Sequence, residues 1–320
     1  MDEMELLNNA LGLVAKAGTG MDTLNMGVMS REDLSDVVVK LFPKDTPVRN
    51  RLKRIKGTGL AHSWNQLADL GTGGGNFSEG GLPTVADSVY VRKSEPYKLI
   101  GNVVRISDLM IAAGANFADA LAFERENKIL KTMLDEEYQL INGDPVAGGF
   151  KGLTKQITTN TKDMATNTVG LPELNEMFEA IYLKGGTPRC VVLGPREKRA
   201  LNNQLLSLIR YQAPGATGEA KAGMSVQILE SDFGEVELVV SRNLVPTMDL
   251  VSGLLLSQML ILDDQASVDN GNAIEVVELV PMSRKPLGPT TSAVEELIWE
   301  AITLVVRAEI FQARIYNIGA

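Results

Sequence analysis

The chain is 320 residues long, with 44% hydrophobic and 22% charged residues, which is ordinary for a soluble globular protein and enough for two modest domains. Against 40 acidic residues stand 31 basic ones, a net charge of −9 that argues against a protein built mainly to grip phosphate backbones. One cysteine, Cys190, excludes an internal disulfide, and the single histidine, His62, leaves neither a Cys–His dyad nor a His-rich metal site.

The N-terminus opens with Asp2, Glu3 and Glu5, and Asn8, Asn9 and Lys16 interrupt any apolar core, so it does not read as a secretory signal. The most apolar later run, 250–262, is broken by Ser252, Ser257 and Gln258 and is too short to span a bilayer, so no membrane partner is expected. Residues 1–30 mix short apolar pieces with glycines and keep no period. They predict an arm that lies extended on a neighbour instead of folding alone. Residues 31–42 read as a short helix, with Ser30 as cap, Glu32 and Asp33 in the first turn and Pro43 as the stop.

A basic cluster follows: Arg49, Arg51, Lys53, Arg54 and Lys56, with no acid among them. Leu52 and Ile55 interleave it and no aromatic side chain offers a stacking platform, so acidic surface on a neighbouring subunit is a better partner than nucleic acid. Residues 57–98 read as a long β-hairpin. Eight glycines loosen residues 57–81, and alternating runs flank the tip. A two-stranded hairpin is marginal by itself, so Trp64 and Phe77 should find cover elsewhere. The run GTGGGN lacks the third glycine of a dinucleotide fingerprint, and no GxxxxGK[ST] occurs, so phosphate binding is not expected.

The best-defined element spans 116–141. Asn116 caps it, and Phe117, Leu121, Leu130, Met133, Leu134, Tyr138 and Ile141 recur at helical intervals. Glu124, Arg125, Lys128, Lys131, Asp135 and Glu136 fill the other side; Asn142-Gly143 and Pro145 end the helix. At 1.5 Å per residue the rod would be roughly 38 Å long, long enough to act as a spine. From about Thr166 the pattern turns α/β. A helix starts near Pro172, with Leu174, Met177, Phe178, Ile181 and Tyr182 on one face. A buried strand follows at 189–193, then a helix through PREKRALNNQLLSLI, a flexible stretch 213–223, and strands at SVQILE and GEVELVVS. Two strand-rich stretches close the chain.

No HExxH, EF-hand or GxSxG motif is present, so neither metal, cofactor nor catalytic residues are expected. Asp263 and Asp264 together with Glu230, Asp232, Glu235 and Glu237 are readable as a carboxylate site, but their alternation near Gly234 more simply places them on the wet face of a hairpin. An ordinary α/β small-molecule enzyme remains the reading from another class, although no dense polar motif sits at the strand ends.

The helix that runs into NGDPVAGGFKGL, preceded by a glycine-rich hairpin and followed by an α/β segment and closing strands, resembles the major capsid proteins of tailed bacteriophages, the HK97-like fold. The resemblance implies an α+β fold: an N-terminal arm (1–30), the start of a peripheral (P) domain (31–56) and an extended E-loop hairpin (57–98). The P domain with its spine helix (99–165), an axial α/β A domain (166–284) and closing P-domain strands (285–320) follow. It also implies self-assembly into a virion head shell, icosahedral or prolate, through hexamers and pentamers in the host cytoplasm. Such a shell encloses double-stranded DNA, with scaffold, portal and cement proteins as further partners. Inter-subunit contacts are expected at Arg49, Arg51, Arg54, Trp64 and Phe77. Some capsids of this family weld an E-loop lysine to a neighbour; here no lysine lies between Gly57 and Arg92, which favours non-covalent contacts. An encapsulin-type nanocompartment shell is the alternative within the same fold.

Overall fold

The computed structural model describes residues 44–114, 120–208, 226–244, 246–248, 253, 255–268, 271–288 and 292–319. The expected arm over 1–30, the helix over 31–42, the Asn116 cap with Phe117, and the stretch 213–223 lie outside the described residues. In chain order, helix α1 (Pro47–Arg51) and strand β1 (Lys53–Lys56) lead into a hairpin of β2 (Ala61–Asp69) and β3 (Val89–Pro96), then β4 (Lys98–Ser107). The short helix α2 (Asp108–Gly114) precedes the long helix α3 (Ala120–Asn142), followed by α4 (Leu153–Gln156) and β5 (Thr161–Asp163). Next come α5 (Leu171–Leu183), β6 (Cys190–Leu193), α6 (Pro195–Leu208), and the hairpin of β7 (Ile228–Ser231) and β8 (Gly234–Val240). The chain continues through β9 (Thr247–Met248), β10 (Leu255–Leu262), β11 (Ser267–Val268) and β12 (Gly271–Asn272). It closes with β13 (Ile274–Pro286), β14 (Ala293–Val306) and β15 (Ala313–Ile318).

Two larger sheets organise these strands. A four-stranded sheet runs β1-β13-β14-β4, and a seven-stranded sheet runs β5-β15-β10-β6-β8-β7 with β9 paired to β10. The apolar runs Cys190–Leu193 of β6 and 259–262 of β10 are buried on both faces. Alternate residues Val191, Leu193, Met259 and Ile261 pack beneath α5 and α6. Their neighbours Cys190, Val192, Leu260 and Leu262 enter a second core with Leu140 and Ile141 of α3 and Ile274, Val276, Ile302 and Leu304 of the four-stranded sheet. The C-terminal end of α3 is thus embedded in the core that joins the two sheets. Cys190 is buried and unpaired, and burial pushes its thiol up to about 12, which suits a small packing residue on a strand.

Helix α3 ends at Asn142, as Asn142-Gly143 and Pro145 require, but its buried stripe differs from the expected one. Tyr138 is exposed, and Thr132, Glu136, Glu137, Leu140 and Ile141 face inward. Hydrophobic periodicity placed Glu136 on the wet side. Arginines of α1 and β1 meet it, and a paired carboxylate can be buried. In α5, Leu174, Met177, Phe178 and Ile181 are buried as expected, whereas Tyr182 sits exposed on the rim against Phe233, ring centroids 5.1 Å apart.

Strand membership also departs from simple chain order. Strand β13, which begins inside the stretch read as α/β, belongs to the four-stranded sheet, antiparallel to β14 and parallel to β1. Strands β5 and β15, read with the helix-bearing domain, join the seven-stranded sheet. Alternation marks a strand but does not say which sheet will pair with it.

The pairing of β4 with β14 contains a close approach. Gly101 lies opposite Trp299, and a Cβ there would come 2.6 Å from the Ile298 carbonyl oxygen and 2.9 Å from the Trp299 Cβ. Replacing Gly101 by Ala should therefore cost on the order of 1–3 kcal/mol, read as a lower urea midpoint with an unchanged denaturant slope.

Candidate functional site

The hairpin is the feature with least cover from its own chain. Strands β2 and β3 pair antiparallel, with Trp64 opposite Lys93 and His62 opposite Glu95, and a register shift between Leu67 and Asp69. Beyond that irregularity residues 70–88 form a long loop, closed partly by Gly74 N–H donating to the Thr84 carbonyl at 2.8 Å. Gly74 and Gly75 have φ of 88° and 95°, the left-handed region that glycine enters without strain. Leu70, Phe77, Leu82, Val85, Tyr90 and Val91 are all exposed, with Leu82 at 92%.

The root of the hairpin is held firmly. Trp64 is 9% exposed and packs on Val277 of β13 and Val305 of β14. The Gln66 side chain donates to the Arg307 carbonyl, and Lys151 pairs with Glu95 at 2.8 Å. Arg307 in turn pairs with buried Glu275 at 3.2 Å and reaches His62 Nε2 at 3.3 Å. Between the root and the 307–311 turn lies a cleft of about 990 Å³.

A second constellation fixes where the hairpin starts. Glu136 of α3, with no exposed surface, receives Arg49 of α1 and Arg54 of β1; Arg54 also pairs with Glu278 of β13. Glu137 accepts from the backbone N–H groups of Val48 at 3.1 Å and Arg49 at 2.6 Å, capping α1 from a distant part of the chain. Arg51 turns the other way, to Asp264 and Glu237. Farther along α3, Arg125 grips Glu296 through two hydrogen bonds of 2.7 and 2.6 Å, which holds that carboxyl below its usual range. Asn102 of β4 donates to Thr132 and Asp135 at 3.0 and 3.1 Å.

Of the residues singled out from sequence, Arg49 and Arg54 thus come together on Glu136, while Trp64 and Phe77 sit at opposite ends of the hairpin, one buried and the other 60% exposed. Within the described residues the arginines meet acids of their own chain, Glu136, Asp264 and Glu278. Periodicity missed Glu136, Glu278 and Glu300. A signal for Glu300 existed: a lone acid within the apolar run IWEAITLVV. Glu230, Asp232, Glu235 and Glu237 are exposed on the β7–β8 hairpin as expected, while Asp263 and Asp264 are buried. Among the described residues no group of three or more His, Cys, Asp or Glu side chains is placed to hold a metal ion, and no helix is long and apolar enough to cross a membrane.

Glu300 is fully buried on the α3-facing side of β14, and neither carboxyl oxygen has a hydrogen-bond partner among the described residues. Burial first, then the nearby Glu136 charge, push its carboxyl up from 4.5 to about 8, against the pull of Arg54 and Arg49. The folded protein therefore binds a proton that the unfolded chain releases. Stability from this group is full below about pH 4.5 and is lost as pH rises towards about 8. Glu300→Gln should flatten that slope and raise the melting temperature at the alkaline end by several degrees. Glu136→Ala should instead cost about 3–5 kcal/mol in denaturant unfolding, because Arg49 and Arg54 lose the carboxylate they share.

Comparison with known proteins agrees with this architecture. A profile of the SU10 major capsid protein matches residues 14–319. No curated protein sequence matches. Among solved structures, the capsid of a native GTA particle superposes with a TM-score of 0.68 at 12% identity, covering 94% of this chain and 100% of that one. A structure from Mycobacterium phage Bobi gives 0.64 at 10% identity, with coverage of 94% and 100%. The holo-SrpI encapsulin complex from Synechococcus elongatus PCC 7942 gives 0.63 at 12% identity, covering 93% and 96%. The fold is α+β and HK97-like, as the order of hairpin, long helix and sheets suggested, and the chain belongs to the SU10 major capsid protein family.

Proposed function

We propose that this protein is a structural tile that assembles with many copies of itself into a phage head shell enclosing double-stranded DNA. The observation that carries the reading is the hairpin: its far end displays Leu70, Phe77, Leu82 and Val85, which no other part of the described residues covers. Apolar surface projected that far from the body is stable in water only when something else covers it. A second copy is the partner that the family points to.

In this reading the hairpin serves as the extended loop. The four-stranded sheet with α3 forms the peripheral domain, and the seven-stranded sheet with α5 and α6 forms the axial domain of hexamers and pentamers. Phe77 contacts a sister subunit directly, and Trp64 sets the angle at which the hairpin arrives. Arg49 and Arg54 act on assembly through the Glu136 seam that they hold, and Arg51 through Asp264 and Glu237. Each interface is weak alone, and several acting together hold a subunit in place. Repeated heterologous contacts close into a shell when the rotations allow. An acidic protein lining such a shell limits sticking to packed DNA. Scaffold, portal and cement proteins are the further partners, and assembly takes place in the host cytoplasm.

Deletion of residues 71–81 should leave a folded subunit that no longer forms closed shells. Circular dichroism checks the fold, and mass measurement with negative-stain microscopy checks assembly. Megadalton particles from the intact chain and none from the deletion are expected; normal particles from the deletion would remove the hairpin from the assembly mechanism. A lone monomer or dimer from the intact chain would remove the shell itself.

A further inference from the structure

We propose that the contact between His62 and Arg307 is an acid-sensitive latch that holds the root of the hairpin against its own subunit. Arg307 Nη2 lies 3.3 Å from His62 Nε2. A guanidinium has only donors, so the contact exists only while that ring nitrogen keeps its lone pair. Protonation turns the hydrogen bond into two cations facing each other.

Arg307 is poorly placed to retreat. Its guanidinium is held by Glu275, which is 1% exposed and also accepts from the Asn272 backbone, and its carbonyl receives the Gln66 side chain. The strain of a second positive charge therefore falls on the hairpin side. The charged groups around the imidazole come from three strands. Arg307 follows β14, Glu275 lies on β13, and Glu95 is the cross-strand partner of His62 on β3. Glu275 is already shared with Arg307 and Glu95 is engaged by Lys151, so neither is a free counter-ion for the imidazolium. Burial and then Arg307 hold the imidazole below its ordinary 6.5, outweighing Glu275. The closed root thus binds fewer protons than an open one. The latch is intact above pH 6.5 and is lost as pH falls below it.

The geometry gives the released root somewhere to go. Trp64, whose ring stacks beside His62 at 6.0 Å, joins Gln66 in lining the cleft of about 990 Å³ beside the 307–311 turn. The inference concerns the hold of the hairpin on its own subunit and stands whatever its far end touches.

Hydrogen–deuterium exchange on the full chain, corrected for the intrinsic pH dependence of amide exchange, tests it at about pH 7.5 and about pH 5.5. In the unaltered protein, segments 61–69 and 89–96 should exchange faster at the acid pH, by up to about tenfold, the ceiling that the one pH unit between 6.5 and 5.5 sets for a single proton. In His62→Gln, whose side-chain oxygen still accepts from Arg307, both rates should be the same. In His62→Lys, which carries a fixed charge, exchange should be fast at both. An unchanged rate in the unaltered protein, or the same acid acceleration in His62→Gln, overturns the latch. Because His62 is the only histidine, its titration is read directly by NMR of histidine-labelled protein, with no variant required. A midpoint at or above 6.5 also overturns it.

Discussion

A carboxylate without solvent has to be met by fixed charge, and at Glu136 two arginines from the segment just before the hairpin meet it. That requirement ties α1 and β1 to the long helix, and Glu137 strengthens the tie by capping α1 from the same turn. Strand β1 in turn sits on one edge of the four-stranded sheet and β4 on the other. The hairpin therefore leaves from one edge and returns at the opposite edge. Its root has to cross the face of the two central strands, and Trp64 lies on Val277 and Val305 there. The direction in which the hairpin projects follows from where Glu136 anchors β1.

The seam carries a surplus acid. Arg49 and Arg54 face Glu136 and Glu278, Glu137 is held by two backbone N–H groups, and Glu300 enters the same space with no hydrogen-bond partner among the described residues. The least costly arrangement keeps Glu300 protonated, so one proton does what a third arginine would otherwise have to do. The seam is thereby made sensitive to alkali and the hairpin root to acid, through groups on opposite faces of one sheet.

Much of this architecture is legible in the sequence. The end of α3 follows from Asn142-Gly143 and Pro145, the hairpin from its glycines and flanking alternation, and the buried strand β6 from its uninterrupted apolar run. Legibility failed wherever a polar side chain was buried by a partner distant in the chain. Glu136 and Arg54 are far apart in sequence, and nothing local to either announces the other. Sheet membership failed for a related reason: β13 and β15 both alternate, and only register decides that one joins β14 and the other joins β10. The hairpin is legible, but Trp64 and Phe77 look alike in the sequence, whereas Trp64 anchors the root and Phe77 is presented at the tip.

That division between root and tip bears most directly on how the tile works. A loop that displays Leu82 and Val85 to water carries a standing risk of indiscriminate sticking. The risk is contained if the loop is delivered in one orientation, because surfaces that meet at the wrong angle bury little. A stiff root also lowers the entropy lost when the loop docks, so modest apolar contacts suffice for association. Both effects come from the same few groups: Trp64 packed on the sheet, Gln66 and His62 on Arg307, and Lys151 on Glu95. Six of the eight glycines between 57 and 81 lie in the far loop, where they leave the backbone free to adapt. Held where it leaves the body and glycine-rich at its far end, the hairpin suits the proposed contact with a second copy.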